Sequence, residues 1–277
     1  MAGKALVLGG GGVTGVAWEL GVLAGLADAG IDLRAADLFV GTSAGSAVAA
    51  QVTSGVALEE LYERQLAGAG NEIAAKLGLG TVARFGWAML STRDGVAFRR
   101  RVGRMALAAR TIPVAERRAV IASRLPSHDW PDLRLLVTAV DADSGEFVVF
   151  DRDAGVSLVD AVTASSAVPG VWAPVPIGGR RYIDGGMRSI ANADLAEGSD
   201  RVVVVAPIAR GGGPMPRLSA QVAALRRAAR VVTVTPDRGA RAAIGRNVLD
   251  PARRAPSARA GRAQAASIAR AVAAVWT

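Results

Sequence analysis

Ser43 stands between two glycines in Phe39-Val40-Gly41-Thr42-Ser43-Ala44-Gly45-Ser46, with an apolar run ahead of it and small residues at helical spacing behind. A G-x-S-x-G turn between a strand and a helix lifts a serine hydroxyl off the end of a sheet, where it can attack a carbonyl carbon. The helix that leaves such a turn aims its first amides, and its positive dipole end, at the place where negative charge collects during acyl transfer. The pattern also arises by chance in a chain this rich in glycine and serine, so the partners of the serine decide its meaning.

A serine nucleophile needs a base. The chain has one histidine, His128, in the polar loop Ser127-His128-Asp129-Trp130-Pro131. It precedes the best candidate acid, so the Ser–Asp–His order of an α/β-hydrolase is missing, and His128 reads as a surface residue. That leaves a carboxylate acting directly on the serine. Asp184 ends a short strand-like run and is followed by Gly185 and Gly186. Burial beside the serine would raise its pKa, and it could then take the serine proton and later return it to the leaving group.

The third feature is the glycine loop at residues 9–15, GGGGVTG. One reading is a dinucleotide fingerprint, Gly10-x-Gly12-x-x-Gly15, with Asp32 twenty residues past Gly12. A nucleotide-binding oxidoreductase of this kind ends its second strand in the acid, whereas here the second strand runs into the serine turn. The favoured reading is an oxyanion hole. Without side chains, the backbone amides of Gly10, Gly11 and Gly12 can approach a substrate carbonyl oxygen closely.

Elements of the right kind surround these residues. Lys4–Leu8 is a short buried strand, residues 16–29 have helical spacing with Trp18, Val22, Gly25 and Leu26 on one face, and Gly30 is a stop signal. Residues 38–40 form the strand that enters the serine turn, and a helix follows over 44–54. Strand, glycine loop, helix, strand, tight turn, helix is the order of a parallel sheet with helices on its faces. Residues 57–125 read as helices carrying no chemistry motif. Residues 133–140 and 146–150 form a hairpin, 157–168 a helix, 171–177 a proline-broken loop and 180–183 a strand ending at Asp184. Residues 201–206 and 231–235 are further strands, and a helix over 257–276 closes the chain.

Composition narrows the function classes. With no cysteine and one histidine there is no thiolate or multi-histidine metal site. The N-terminal stretch lacks a signal-peptide layout. Two uncharged stretches, 38–58 and 161–179, reach membrane-spanning length, but their polar residues and prolines mark them as buried turn-and-helix segments. The expectation is a cytoplasmic chain with peripheral membrane contact. The net charge of +9 lies entirely in residues 226–277, which hold eleven arginines and two aspartates. This segment reads either as a solvated arginine face with alanine as its packing side, or as a patch for anionic lipid head groups. No nucleic-acid motif accompanies it, and nucleic acid is not an expected partner.

Taken in order, the motifs GGGGVTGVAWELGVL, GTSAGS, TAVDADSGEFVVF and ASSAVPGVWAPVPIGGRRYIDGG resemble the patatin-like phospholipases, over about residues 4–210. The resemblance implies a three-layer α/β fold with a mostly parallel central sheet flanked by helices, formed by residues 1–277 as one domain with the Arg-rich segment 226–277 at its end. It implies a lipid or acyl-ester substrate cleaved in the manner of a phospholipase A or lysophospholipase, with no metal or organic cofactor. Ser43 would be the nucleophile, Asp184 the general base, and Gly10, Gly11 and Gly12 the oxyanion donors. Gly15 would turn the loop into its helix, and Gly41, Gly45, Gly185 and Gly186 would support the two catalytic turns. One departure stands out. The family commonly carries Arg or Lys just before the last glycine of the loop, and this chain has Thr14. A nucleotide-binding oxidoreductase and a non-catalytic basic membrane-surface protein are the competing readings.

Overall fold

The computed structural model describes residues 3–68, 72–75, 78–209 and 211–277. The strands are β1 (Lys4–Leu8), β2 (Leu38–Gly41), β3 (Arg134–Asp141), β4 (Phe147–Phe150), β5 (Val175–Ile177), β6 (Arg180–Asp184), β7 (Arg201–Val205) and β8 (Arg230–Val234). Among the described residues they form an eight-stranded sheet in the order β5-β6-β3-β2-β1-β7-β8, with β4 paired to β3 off that path. The pairings β3–β2, β2–β1, β1–β7 and β7–β8 are parallel. Antiparallel pairings are confined to the β3–β4, β3–β6 and β5–β6 edge. The helices are α1 (Gly12–Asp28), α2 (Ala44–Val52), α3 (Leu58–Leu66), α4 (Leu79–Leu90), α5 (Gly95–Leu107), α6 (Val114–Arg124), α7 (Leu158–Ser165), α8 (Leu218–Leu225), α9 (Arg238–Ile244) and α10 (Arg254–Trp276).

Alternation along the central strands gives the sheet two core faces, and a third cluster packs Phe98 and Val102 of α5 against Val140 and Ile183. In β1, Leu6 and Leu8 face the layer of α1, α2, α7 and α10, whereas Ala5 and Val7 face α8 through Leu218 and Val222. The result is the α/β layering expected, with a mostly parallel sheet. No helix among the described residues is long and apolar enough to cross a membrane.

Three local expectations are corrected. The first helix begins at Gly12, inside the glycine loop, and is buried on every side from Val13 to Leu26 instead of along one stripe. The reason is α10, which covers the flank of α1 that one-sided spacing would leave to solvent. A Cβ on Gly21 would lie 2.1 Å from the Ala258 carbonyl oxygen, and one on Gly261 would lie 2.3 Å from that of Trp18. The two helices therefore touch backbone to backbone, and Trp18 Nε1 donates to Gln264 Oε1 at 3.2 Å. Second, the end of the proline-broken loop forms β5, joined to β6 through Gly178 and Gly179. Both glycines have positive φ (56° and 78°), as a two-residue hairpin turn requires. Third, the closing helix starts at Arg254 and is fixed by charge as well as packing. Arg262 bonds Asp28 at 2.8 Å and Glu59 at 2.7 Å and lies over the Tyr62 ring, so part of the arginine excess ties α10 to α1 and α3.

Candidate active site

β2 delivers the chain into Ser43, whose φ of 53° and ψ of −117° are strained for a residue with a side chain. Close packing enforces the turn. A Cβ on Gly45 would lie 2.1 Å from the Leu8 carbonyl oxygen, and one on Gly41 would lie 2.5 Å from Ser46 Cα. Three hydroxyls hold the strained backbone. The Ser43 amide donates to Ser165 Oγ at 2.9 Å, while Ser46 Oγ and Ser166 Oγ donate to the Ser43 carbonyl at 2.6 and 3.3 Å.

The antiparallel direction of β6 brings Asp184 to this turn. Asp184 pairs with Ala139 in the middle of β3, whose earlier residue Val137 pairs with Gly41. The Asp184 carboxylate accepts a hydrogen bond from the Gly186 amide at 2.7 Å, and the neighbouring Ser43 side chain, like that amide, favours its ionised form. Burial pushes its pKa from 3.8 to about 6, against the opposing pull of those two groups. Gly185 is required because a Cβ there would meet Thr138 Oγ1 at 2.3 Å, and a Cβ on Gly186 would crowd the Asp184 carboxylate at 2.9 Å.

A buried amide joins the two turns. Asn192 Nδ2 lies 3.0 Å from Thr42 Oγ1, 3.3 Å from Thr138 Oγ1 and 3.3 Å from the Gly185 carbonyl oxygen. Asn192 and Ser43 are the two non-glycine residues with positive φ among the described residues. Neither Asn192 nor the Ser165–Ser166 pair was singled out from the sequence. An Asn has a higher tolerance for left-handed backbone than most residues, but nothing local marks this one.

The glycine loop runs beside Ser43, and its amides are not equivalent. A Cβ on Gly10 would sit 3.6 Å from Ser43 Cβ, but the Gly10 amide donates to the Ile190 carbonyl at 2.8 Å. In this structure the Gly10 donor therefore holds the loop. The amides of Gly11 and Gly12 bond no acceptor among the described residues, and neither does that of Ala44, which opens α2. Gly11 fits against Pro207, where a Cβ would be 2.5 Å away, and Gly12 has φ of +60°. Gly15 packs between Pro207 and Ala44. Thr14, just before the last glycine of the loop, is fully buried, and its hydroxyl lies 3.2 Å from the Val248 carbonyl oxygen. Beneath the loop, Glu19 accepts from the Gly9 amide at 3.0 Å, and complete burial raises its pKa well above the usual range.

The remaining candidates lie elsewhere. Asp32 precedes β2 at the end of the sheet opposite the glycine loop, where it caps a 3-10 turn and pairs with Arg34 at 2.8 Å. It cannot serve a dinucleotide held at Gly10, Gly12 and Gly15. His128 is exposed, with Nε2 3.0 Å from the Ala122 carbonyl oxygen.

Ser43 opens into a cavity of about 20 Å³, room for one water molecule, which it shares with Gly12, Ala44, Arg117 and Trp172. A larger cavity of about 320 Å³ adjoins it through Val13, Val16 and Arg124.

Residues 6–197 match the family described as patatin-like phospholipase. Among solved structures, the chain is similar to VipD from Legionella pneumophila, with a TM-score of 0.51 and 15% identity, over 98% of this chain and 67% of that one. A second match, the type III effector protein ExoU, has a TM-score of 0.44 and 16% identity, over 98% of this chain and 53% of ExoU. No curated protein sequence matches.

Proposed function

The chain belongs to the patatin-like phospholipase family, and on that premise we propose that it hydrolyses lipid acyl esters with Ser43 as nucleophile and Asp184 as its base. Ser43 Oγ attacks the ester carbonyl carbon as its proton passes to Asp184, giving a tetrahedral oxyanion. The amides of Gly11, Gly12 and Ala44 receive that oxyanion at the start of two helices, where dipoles add to the hydrogen bonds. Collapse breaks the bond to the alcohol, which leaves with the proton from Asp184, and an acyl-serine remains. Water, deprotonated by Asp184, then attacks the acyl carbon, and the second collapse releases a fatty acid and restores Ser43 and its proton. None of these steps uses a metal or an organic cofactor.

One observation carries the reading: a buried carboxylate stands close enough to the serine side chain for Ser43 to act on its titration, and burial lifts its pKa to about 6. A base with that pKa is ionised at neutral pH and is still basic enough to share the serine proton in the transition state. The strain at Ser43 supports the same role, because backbone strain of this kind persists where the surrounding structure enforces it. The test is labelling by a fluorophosphonate probe together with turnover of a short p-nitrophenyl ester. Wild type is expected to react and Ser43→Ala to be silent, while equal labelling of the two would sink the proposal.

For contact with a lipid surface, the α4–α5 region has better support than the C-terminal segment 226–277. Helix α4 exposes Val82 (51%), Trp87 (65%) and Leu90 (90%). The helix after it carries Arg99, Arg100, Arg101 and Arg104, and Arg101 lies 5.6 Å from the Trp87 ring centre. Apolar side chains with tryptophan, beside a cluster of cations, suit the interface of an anionic bilayer. Segment 226–277 has no exposed large apolar side chain among the described residues, and its Arg262 is held by Asp28 and Glu59.

A further inference from the structure

Arg117 is the one arginine among the described residues that is buried, with 6% of its surface exposed. It projects from α6, and among the described residues it makes no ion pair and its buried Nε and Nη1 have no hydrogen-bond partner. Its close contact is the face of the Trp172 ring, 4.3 Å from the guanidinium carbon. Two further donors at the same place are unanswered, Trp172 Nε1 and Arg124 Nε. The acid nearby, Glu72, already pairs with Arg124 Nη2. All three donor side chains line the cavity into which Ser43 opens.

A buried guanidinium with no hydrogen-bonded anion is costly, because the charge has lost water and the Trp172 ring and the field of Glu72 offset only part of that loss. Desolvation, with a smaller contribution from Arg124, draws the pKa of Arg117 down to about 9, so it is still a cation at neutral pH. This corner of the cavity offers donors in excess and positive charge. What completes it is an anion with several acceptor oxygens, and its position beside Ser43 makes that anion part of the ester being cleaved.

We infer that Arg117, with Trp172 and Arg124, forms an anion site beside Ser43 that receives the phosphate of the substrate, so that discrimination between a phospholipid and a neutral acylglycerol is carried by α6 and Trp172 and not by the glycine loop. The inference rests on the hydrolase reading above. The two free oxygens of a phosphodiester match the fork of a guanidinium, and the aromatic plane beneath Arg117 holds that fork in orientation. Arg124 borders both cavities, which puts the phosphate at their junction and the rest of the head group in the space of about 320 Å³. The void of about 20 Å³ at Ser43 is too small for a phosphate as it stands, so side chains at the junction swing outward as the lipid enters.

The test compares wild type with Arg117→Met, which removes the charge and keeps the bulk, and with Arg117→Lys, which keeps the charge and loses the fork. A lysophosphatidylcholine and a monoacylglycerol with the same acyl chain serve as substrates. Arg117→Met is expected to lose on the order of 30-fold more kcat/KM on the phospholipid than on the neutral lipid, mostly through KM, with Arg117→Lys between them. Thermal unfolding supplies a readout that a packing role would not produce. Arg117→Met is expected to melt at or above the wild-type temperature, since an unpaired buried charge has gone. Inorganic phosphate is expected to raise the wild-type melting temperature and leave that of Arg117→Met unchanged. Equal losses on both lipids, a lowered melting temperature with selectivity intact, or wild-type preference for the neutral lipid would each overturn the inference. Cleavage of neither lipid, with phosphate still raising the wild-type melting temperature alone, would keep the anion site and remove the hydrolase. If phosphate shifts neither protein, the anion site is refuted whatever the lipids do.

Discussion

Replacing Asp184 with asparagine separates what the carboxylate does for catalysis from what it costs the fold. The folded-state pKa of Asp184 is about 6, against an ordinary value of 3.8, because the carboxyl is buried. An acid with a raised pKa keeps its proton in the folded state over a range where the unfolded chain has already released it. Stability therefore falls as pH rises from 3.8 to about 6, and above that the full penalty is present. At about 1.4 kcal/mol per pH unit, the gap amounts to about 3 kcal/mol. Asparagine avoids this penalty, and its side chain can still accept from the Gly186 amide while donating to Ser43 Oγ. Asp184→Asn is accordingly expected to be more stable than wild type by about 3 kcal/mol at pH 7.5, with the advantage shrinking toward zero below pH 4. Urea unfolding followed by tryptophan fluorescence at the two pH values measures it, with the denaturant slope unchanged if the native state is intact. The same variant is expected to lose ester turnover. In wild type, kcat/KM is expected to rise with pH through about 6 and then level off, because the ionised carboxylate is the base. A variant less stable than wild type at pH 7.5, or a wild-type pH profile flat between 5 and 7, would refute the argument.

Three further outcomes follow from neighbouring residues. Asn192→Ala removes the amide that ties Thr42 and Thr138 to the Gly185 turn, and is expected to cost about 2 kcal/mol of stability and to lower kcat on a neutral ester more than it changes KM. Glu19→Gln is expected to be neutral for stability at pH 4 and stabilising at pH 8, since burial raises the pKa of Glu19 and its penalty grows as pH rises; chemical denaturation at both pH values checks the sign. The pair Trp87→Ala and Leu90→Ser, on exposed positions of α4, is expected to reduce sedimentation with vesicles of mixed phosphatidylcholine and phosphatidylglycerol severalfold without changing turnover of a soluble ester. Undiminished sedimentation would return the C-terminal arginines to consideration.

The turns that carry Ser43 and Asp184 were legible in the sequence because packing leaves them little chemical choice. Gly41 and Gly45 are demanded by backbone within 2.1–2.5 Å of where a side chain would start, and Gly185 by Thr138 at 2.3 Å. The crowding atoms belong in part to Leu8 and Thr138, distant in the chain, but each falls on a fixed position of its turn and so leaves a spaced glycine pattern, and with no histidine after Asp184 the carboxylate is the base that remains. The rest of the site leaves no such pattern. Whether Gly10 can donate to a substrate is decided by Ile190, which takes its amide, and the burial of α1 on every side is decided by α10. Arg117 carries no local signature at all. On α6 it reads as one more cation in a helical run, and only its burial against Trp172 without an acid distinguishes it. The neutral Thr14 had suggested a site short of positive charge. Arg117 and Arg124 bring positive charge to the cavity instead, both from α6, in a stretch whose sequence carries no chemistry motif.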